Sequence, residues 1–418
     1  MIEHIKKTTN NATYTAYLAW IAVALFYLYQ YILRVAPGAM IDQLTADFHI
    51  IAEQFATLGF LDAFAYAIMQ IPLGIVVDKI GVRKTVLTSI TLCVTGSFLF
   101  ATAGQFWLVQ ISRIMTGIGS AAAFMCAIKT IADYFAPGKR GVLMGLTLTL
   151  GIIGALLAGR WAIIIVETSN WRQLFYYSGI IGILVGALVY FLVDERTNIT
   201  QHNKHHITEN LKKIIRNRSI IIYSILAIGL YVPLSALADL WGVAFMKQKF
   251  GFSQAEGVYL SSMLYVGLGI GSILLPWLTE KFNLLNFGIF ICSAGILALF
   301  SMLLYSSGLS YNTLIVILLA LGILCGAEMM CFTGALVFAD RDNSGEVIGV
   351  VNTCNMLGGA LLKYGIGFFL DATWNGTTQA NGLRYYGEEQ YTIALSSLTI
   401  ILIACCLISL LLFRETRK

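Results

Sequence analysis

A few charged side chains stand inside long apolar runs, and they are where this sequence can do chemistry. The cations are Arg34, Arg113, Lys129 and Lys363, with Arg160 at the edge of a run; the acids are Asp62, Asp133, Asp239 and Glu328. A charge in such surroundings is costly unless it is paired or meets water, so each implies a partner, a cavity or a ligand. Arg34 is the most informative. Tyr27, Gln30, Tyr31 and Arg34 share one helical face. That face offers two phenols, an amide and a guanidinium, which suits an oxyanion because a guanidinium donates as a bidentate fork. The same stripe also fits an interfacial aromatic belt with a snorkelling arginine. Glu328 lies mid-run, two residues after Gly326. Burial favours a neutral carboxyl and a nearby cation an ionised one, so a carboxyl balanced between them can load and release a proton. Glu328 is the first candidate for proton coupling and Asp62 the second. Asp133 follows Lys129 by one turn and reads as its structural partner. The cations in these runs outnumber the acids not tied to a polar edge, and low-dielectric walls focus such a surplus on anions.

The elements that carry these residues are set by composition. Of 418 residues, 58% are hydrophobic and 12% are charged, with a mean hydropathy of +0.78. A soluble domain carries about 25% charged residues. This chain cannot be one core with a wetted shell, and it reads as a polytopic membrane protein. The eight cysteines all fall in apolar runs, without the paired short spacing of a metal site or a disulfide framework. They read as small buried hydrophobes, and no metal or cofactor is expected. All five histidines lie outside the apolar runs, no nucleophile–base pair is legible and no phosphate-binding Gly-x-x-x-x-Gly-Lys-Ser/Thr occurs, so neither an enzyme nor an ATP-driven pump is indicated. The net charge of +5 is modest and its basic residues sit in short loops, which argues against nucleic-acid binding.

Runs of about 20 apolar residues cross a bilayer as helices. Twelve are predicted, near 17–36, 54–77, 85–104, 107–133, 141–163 and 173–193, then near 219–241, 256–278, 284–305, 312–338, 347–370 and 391–413. The first is too long for a signal-peptide core and is expected to be retained. Lys79, Arg83, Lys84, Lys139, Arg140 and the basic cluster of 194–218 fall on the side of the N-terminus. The positive-inside rule then places that side and both termini in the cytoplasm. The segment 194–218 reads as a solvated linker, with 208–218 as a short amphipathic helix on the inner leaflet. The two flanking parts resemble one another. Phe135 begins a segment with Gly141 and Gly145, and Phe338 begins one with Gly345 and Gly349, the glycines offset by 204 residues. The expected architecture is therefore an all-α membrane protein of twelve transmembrane helices in two pseudo-symmetric six-helix halves, 1–193 and 219–418, joined by 194–218.

Between the second and third runs the sequence reads Gly74-Ile-Val-Val-Asp78-Lys79-Ile-Gly81-Val-Arg83-Lys84. This resembles the signature loop of the major facilitator superfamily. The resemblance implies that Gly74, Asp78, Gly81, Arg83 and Lys84 take part in gating, with Asp78 latching the halves on the cytoplasmic side. Arg113-Ile-Met-Thr-Gly117-Ile-Gly119 is similar to a fourth-helix motif of the family whose arginine is linked to proton coupling. Arg34 resembles the first-helix substrate arginine of the organophosphate and organic-anion branches, and Tyr134 to Gly141 also looks like those branches. Two positions depart from them. The pseudo-symmetric counterpart of Arg34 is Ala238, beside Asp239, where organophosphate antiporters carry a second arginine; seven residues after Arg113, where organic-anion symporters often carry a carboxylate, stands Ser120. Asp239 then implies either a gating pair with Arg34 or recognition of a zwitterion.

The resemblance implies a secondary active transporter of a small anionic or zwitterionic metabolite, expected to be a proton symporter and a monomer in a bacterial inner membrane. An exchanger, a facilitator or a non-transporting sensor of the same fold is the alternative. The substrate-binding set is expected to be Arg34, Tyr27, Gln30, Tyr31, Arg113, Asp239 and Lys363.

Overall fold

The computed structural model describes residues 2–168, 170–194, 211–339 and 344–415, with side chains except at 2–13, 71, 75, 78, 137, 166–168, 344, 414 and 415. These residues are almost wholly helical. The helices are α1 (Ile2–Val35), α2 (Ile41–Phe48), α3 (Ala52–Thr102), α4 (Phe106–Ser120), α5 (Ala122–Tyr134), α6 (Pro137–Thr168) and α7 (Arg172–Leu192). They continue as α8 (Arg218–Pro233), α9 (Gly242–Phe250), α10 (Gln254–Lys281), α11 (Leu285–Tyr305), α12 (Tyr311–Cys325), α13 (Glu328–Leu336), α14 (Ser344–Ala372) and α15 (Glu388–Glu415). A 3-10 turn, Ala36–Met40, joins α1 to α2, and a π-helix, Leu234–Trp241, joins α8 to α9. Of the predicted amphipathic segment 208–218, residues 211–216 are helical; 195–210 lie outside the described residues.

Helix starts are marked by side chains that satisfy the free N–H groups. Asn217 accepts from Ser219 N and Ile220 N, Ser253 and Glu256 form a capping box, and Ser310 accepts from Thr313 N. Among the described residues, eleven helical stretches are long and apolar enough to cross a membrane. The predicted span 54–77 is not counted among them. It includes Ile71 and Ile75, whose side chains lie outside the described residues, so that count does not bear on it; its helix runs without a loop into the next predicted span as the 51-residue α3.

That long helix cannot be straight. On α4, a Cβ at Gly117 would strike the carbonyl oxygen of Asp62, and one at Gly119 would strike Cys93 Sγ at 2.6 Å. Gly117 and Gly119 are neighbours, whereas Asp62 and Cys93 would lie roughly 45 Å apart along an unbroken helix rising about 1.5 Å per residue. The chain therefore doubles back between them. The turn is Gly81, at φ 84° and ψ 165°, a conformation that glycine adopts without a Cβ clash.

Helices α1–α7 meet α8–α15 most densely at the end that carries Ala36–Met40 and the start of α3. There a Cβ on Gly38 would lie 2.7 Å from Asp239 O and 2.9 Å from Leu240 Cα, and one on Gly367 would lie 2.6 Å from Ala56 Cβ. Polar contacts cross at the same level. Lys247 pairs with Asp42, Gln254 donates to Ala39 O, and Tyr364 donates to Glu53. Asp371 accepts from the backbone N–H of Glu53 at 2.7 Å, so it caps the start of α3.

Candidate functional site

Arg34 ends the α1 stripe. Its guanidinium lies over the rings of Tyr31 and Tyr66, 5.1 Å and 4.9 Å from the centroids. Among the described residues it has no carboxylate partner. Tyr27 donates to Tyr31 at 3.4 Å, and its ring packs against Phe124. Gly151 of α6 makes room for both phenol rings: a Cβ there would sit 2.6 Å from Tyr27 and 2.9 Å from Tyr31. Gln30 is buried, and its Oε1 has no hydrogen-bond partner among the described residues. An orphaned buried amide oxygen is costly, and it fits a position that awaits a donor. Tyr66 was not foreseen. Its spacing of four from Asp62 puts it on the same face of α3, which was the available signal.

The two fully buried cations among the described residues are already engaged. Arg113 pairs with Asp62 at 3.1 Å and donates to the carbonyls of Leu58 at 3.1 Å and Leu33 at 2.8 Å. Thr116 adds a bond to Asp62 at 3.2 Å. Arg113 thus ties α4 to α1 and α3, and Asp62 is its counter-ion. Lys363 of α14 pairs with Asp239 at 3.1 Å, and Tyr265 donates to the other oxygen of Asp239. The sequence alternative of an Arg34–Asp239 pair is not what forms. The π-helical winding of Leu234–Trp241 presents Asp239 to Lys363, whose own carbonyl accepts from Trp241 Nε1 at 3.1 Å. The Tyr31 and Tyr265 rings meet edge to face at 6.2 Å, so the Arg34 stripe and the Asp239 pair adjoin across the two helix groups.

Glu328 starts α13 and is buried, with Asn355 of α14 as its hydrogen-bond donor. Asn355 Oδ1 has no partner. Tyr231 of α8 stands within electrostatic reach of Arg34, Asp239 and Glu328 together. Tyr265, Asn355 and Tyr231 come from helices far apart in sequence, and no local pattern marks them.

The signature-loop residues are spread out. A Cβ on Gly74 would lie 3.9 Å from Met125 Sδ, and Gly81 makes the turn of α3. Arg83 donates to Tyr190 O at 2.7 Å and stacks on the Tyr190 ring at 4.6 Å, so it caps the end of α7. Lys84 is exposed beside it. The side chain of Asp78 lies outside the described residues.

The sequence model of the Major Facilitator Superfamily matches residues 19–362. The chain is 24% identical over 299 residues to an uncharacterized transporter, YybO, of Bacillus subtilis, covering 67% of this chain and 68% of that one. It is 23% identical over 292 residues to the hexuronate transporter of Escherichia coli K12, covering 64% of this chain and 66% of that one. Among solved structures, a bacterial homologue of the human lysosomal transporter Spinster, inward-facing and unoccupied, superposes with a TM-score of 0.77 at 16% identity, over 96% of this chain and 97% of that one.

Proposed function

The chain belongs to the major facilitator superfamily, and on that premise we propose that it is a secondary active transporter that carries a small anionic or zwitterionic metabolite by proton symport. One observation carries the reading. Arg113 and Lys363 each hold a carboxylate, whereas Arg34 lies over two tyrosine rings, one turn after Gln30 on the same helical face. A half-buried guanidinium lined by phenols, with no carboxylate in contact among the described residues, can serve as an anion site. The hexuronate transporter among the relatives makes a sugar acid the first probe.

The fold-back of α3 at Gly81 supports twelve spans, in two halves 1–193 and 219–418 joined by 194–218. The contacts concentrated around Gly38, Glu53 and Asp371 support a state closed at that end. With the N-terminus cytoplasmic, that is the outer end, and the carrier is closed to the outside. The halves then rock about the Arg34 level, with Asp78 as the inner latch and Glu328 as the proton carrier.

The test is uptake in proteoliposomes with a pH gradient, started with labelled glucuronate and extended to other organic acids. Arg34→Lys keeps the charge and loses the fork. Removing one charge-assisted contact costs about 1.5–3 kcal/mol, roughly a 10- to 150-fold loss of affinity. Normal substrate binding by Arg34→Lys defeats the anion assignment.

A further inference from the structure

The buried charges fix how much charge the carrier can move. We infer that the substrate is a monoanion, carried electroneutrally with one proton; this rests on the reading of Arg34 as the anion site and Glu328 as the proton carrier. Among the described residues, Arg34, Arg113, Lys363, Asp62, Asp239 and Glu328 make up the interior set. Arg113 is offset by Asp62 and Lys363 by Asp239, each at 3.1 Å with both members buried. These pairs are held by further bonds from Leu58, Leu33, Thr116 and Tyr265, which fix them in place. Arg34 and Glu328 remain, and neither has an opposite charge in contact among the described residues. Lys129 and the exposed Asp133 lie one turn apart toward the end of α5, and Arg160 is exposed, so these stand outside the set.

The consequence is arithmetic. With the site empty and Glu328 ionised, Arg34 and Glu328 sum to zero. When one monoanion binds Arg34 and one proton settles on a Glu328 carboxyl oxygen, the sum is zero again. Both forms can then cross the alternating step without moving net charge through low dielectric, where an uncompensated charge is costly. A dianion would leave the loaded form negative, and a neutral ligand would leave it positive. The groups around Glu328 supply no alternative counter-charge: Asn355 from α14 is neutral, Tyr231 from α8 is a phenol, and Cys325 and Cys331 flank it on its own side. Around Arg34 stand Tyr31, Tyr66 and Tyr231, with Asp239 already held by Lys363. Gln30 adds a preference within the class. Its orphaned oxygen takes a donor, so a hydroxylated monocarboxylate fits better than a bare one.

The experiment has two stages. Purified protein is screened by thermal shift against acids matched in skeleton but differing in charge: glucuronate and lactate as monoanions, glucarate, malate and sulfoacetate as dianions, and glucose as the neutral control. Stabilisation tracks occupancy of the folded state. The expected result is a shift by a monoanion, largest for a hydroxylated one and lost in Arg34→Gln. A dianion that shifts the protein more than its monoanion partner overturns the charge assignment and leaves the anion site standing. If glucose shifts it and no acid does, or if none of the panel does, the anion site itself falls.

Proteoliposomes then carry the best monoanion. A pH gradient alone should drive uptake, and a potassium–valinomycin potential at equal pH should not. In Glu328→Gln the empty form becomes cationic and the loaded form neutral. That variant should lose accumulation driven by the pH gradient, keep exchange, and gain uptake that responds to an imposed potential. Potential-driven uptake by the wild type, or pH-driven accumulation by Glu328→Gln, overturns the one-proton, one-charge assignment.

Discussion

The outer closure offers a perturbation whose size follows from the contacts. Asp371 accepts three hydrogen bonds, from Glu53 N at 2.7 Å, Arg384 at 2.9 Å and Tyr386. Arg384 and Tyr386 lie in the connection that follows Asp371 at the end of α14, within the same helix group, so those two bonds persist whichever way the carrier faces. Burial and the adjacent Asp371 carboxylate push the Tyr386 phenol above its ordinary value, which keeps it a donor. Of Asp371's three bonds, the one to Glu53 N joins the two helix groups and places a carboxylate at the positive end of α3; beside it the Ala52 N–H donates to Tyr386 at 3.3 Å. Asp371→Ala removes the bond to Glu53 N. A hydrogen bond to a charged group is worth about 1.5–3 kcal/mol, so the balance between outward- and inward-facing states should shift roughly 10- to 150-fold toward outward-facing. Asp371→Asn keeps an acceptor and loses the charge, so its shift should be several-fold smaller. The assay is the rate at which an impermeant maleimide labels Ser262→Cys from outside intact cells. Ser262 is half-buried and lines a small, partly enclosed cavity between the helix groups, with Val35, Gly159 and Tyr265. The protein without the introduced cysteine sets the background, its own eight being buried or half-buried. If Asp371→Ala labels Ser262→Cys no faster than the parent does, Asp371 is not a closing contact.

Three further outcomes are expected. Gly38→Ala places a methyl 2.7 Å from Asp239 O and 2.9 Å from Leu240 Cα, backbone atoms that cannot swing aside, and should raise the same external labelling; unchanged labelling would mean that the turn Ala36–Met40 yields without opening the closure. Arg113→Met strands Asp62 as a buried unpaired charge and should lower stability by about 3–5 kcal/mol, read as lost thermal stability in detergent. Arg113→Met combined with Asp62→Leu should restore much of it, and if that double variant still accumulates substrate, the pair is structural rather than coupling. A thiol introduced at Asn203, in the segment outside the described residues, should label only from the cytoplasmic side, and labelling from outside would reverse the proposed orientation.

Much of this protein was legible from composition and spacing. A charged fraction of 12% over 418 residues excluded a soluble core, and apolar run lengths gave the helices, because a bilayer imposes a length and forbids unsatisfied backbone. Gly74 to Lys84 pointed to the family because a turn that reverses a helix needs glycine at a fixed place, and Gly81 is at that turn. The face of Tyr27, Gln30, Tyr31 and Arg34 could be read because helical periodicity is local. Partnership could not, because it joins residues distant in the chain. Sequence offered Asp239 to Arg34 by pseudo-symmetry, yet the π-helix of Leu234–Trp241 turns it to Lys363, and Asp62, a proton-carrier candidate, is the counter-ion of Arg113. Whether a buried charge is spent on a neighbour or left for a ligand depends on a few ångströms between helices. Only tertiary packing sets that distance, and among the described residues it set Arg34 over tyrosine rings and Glu328 against an amide.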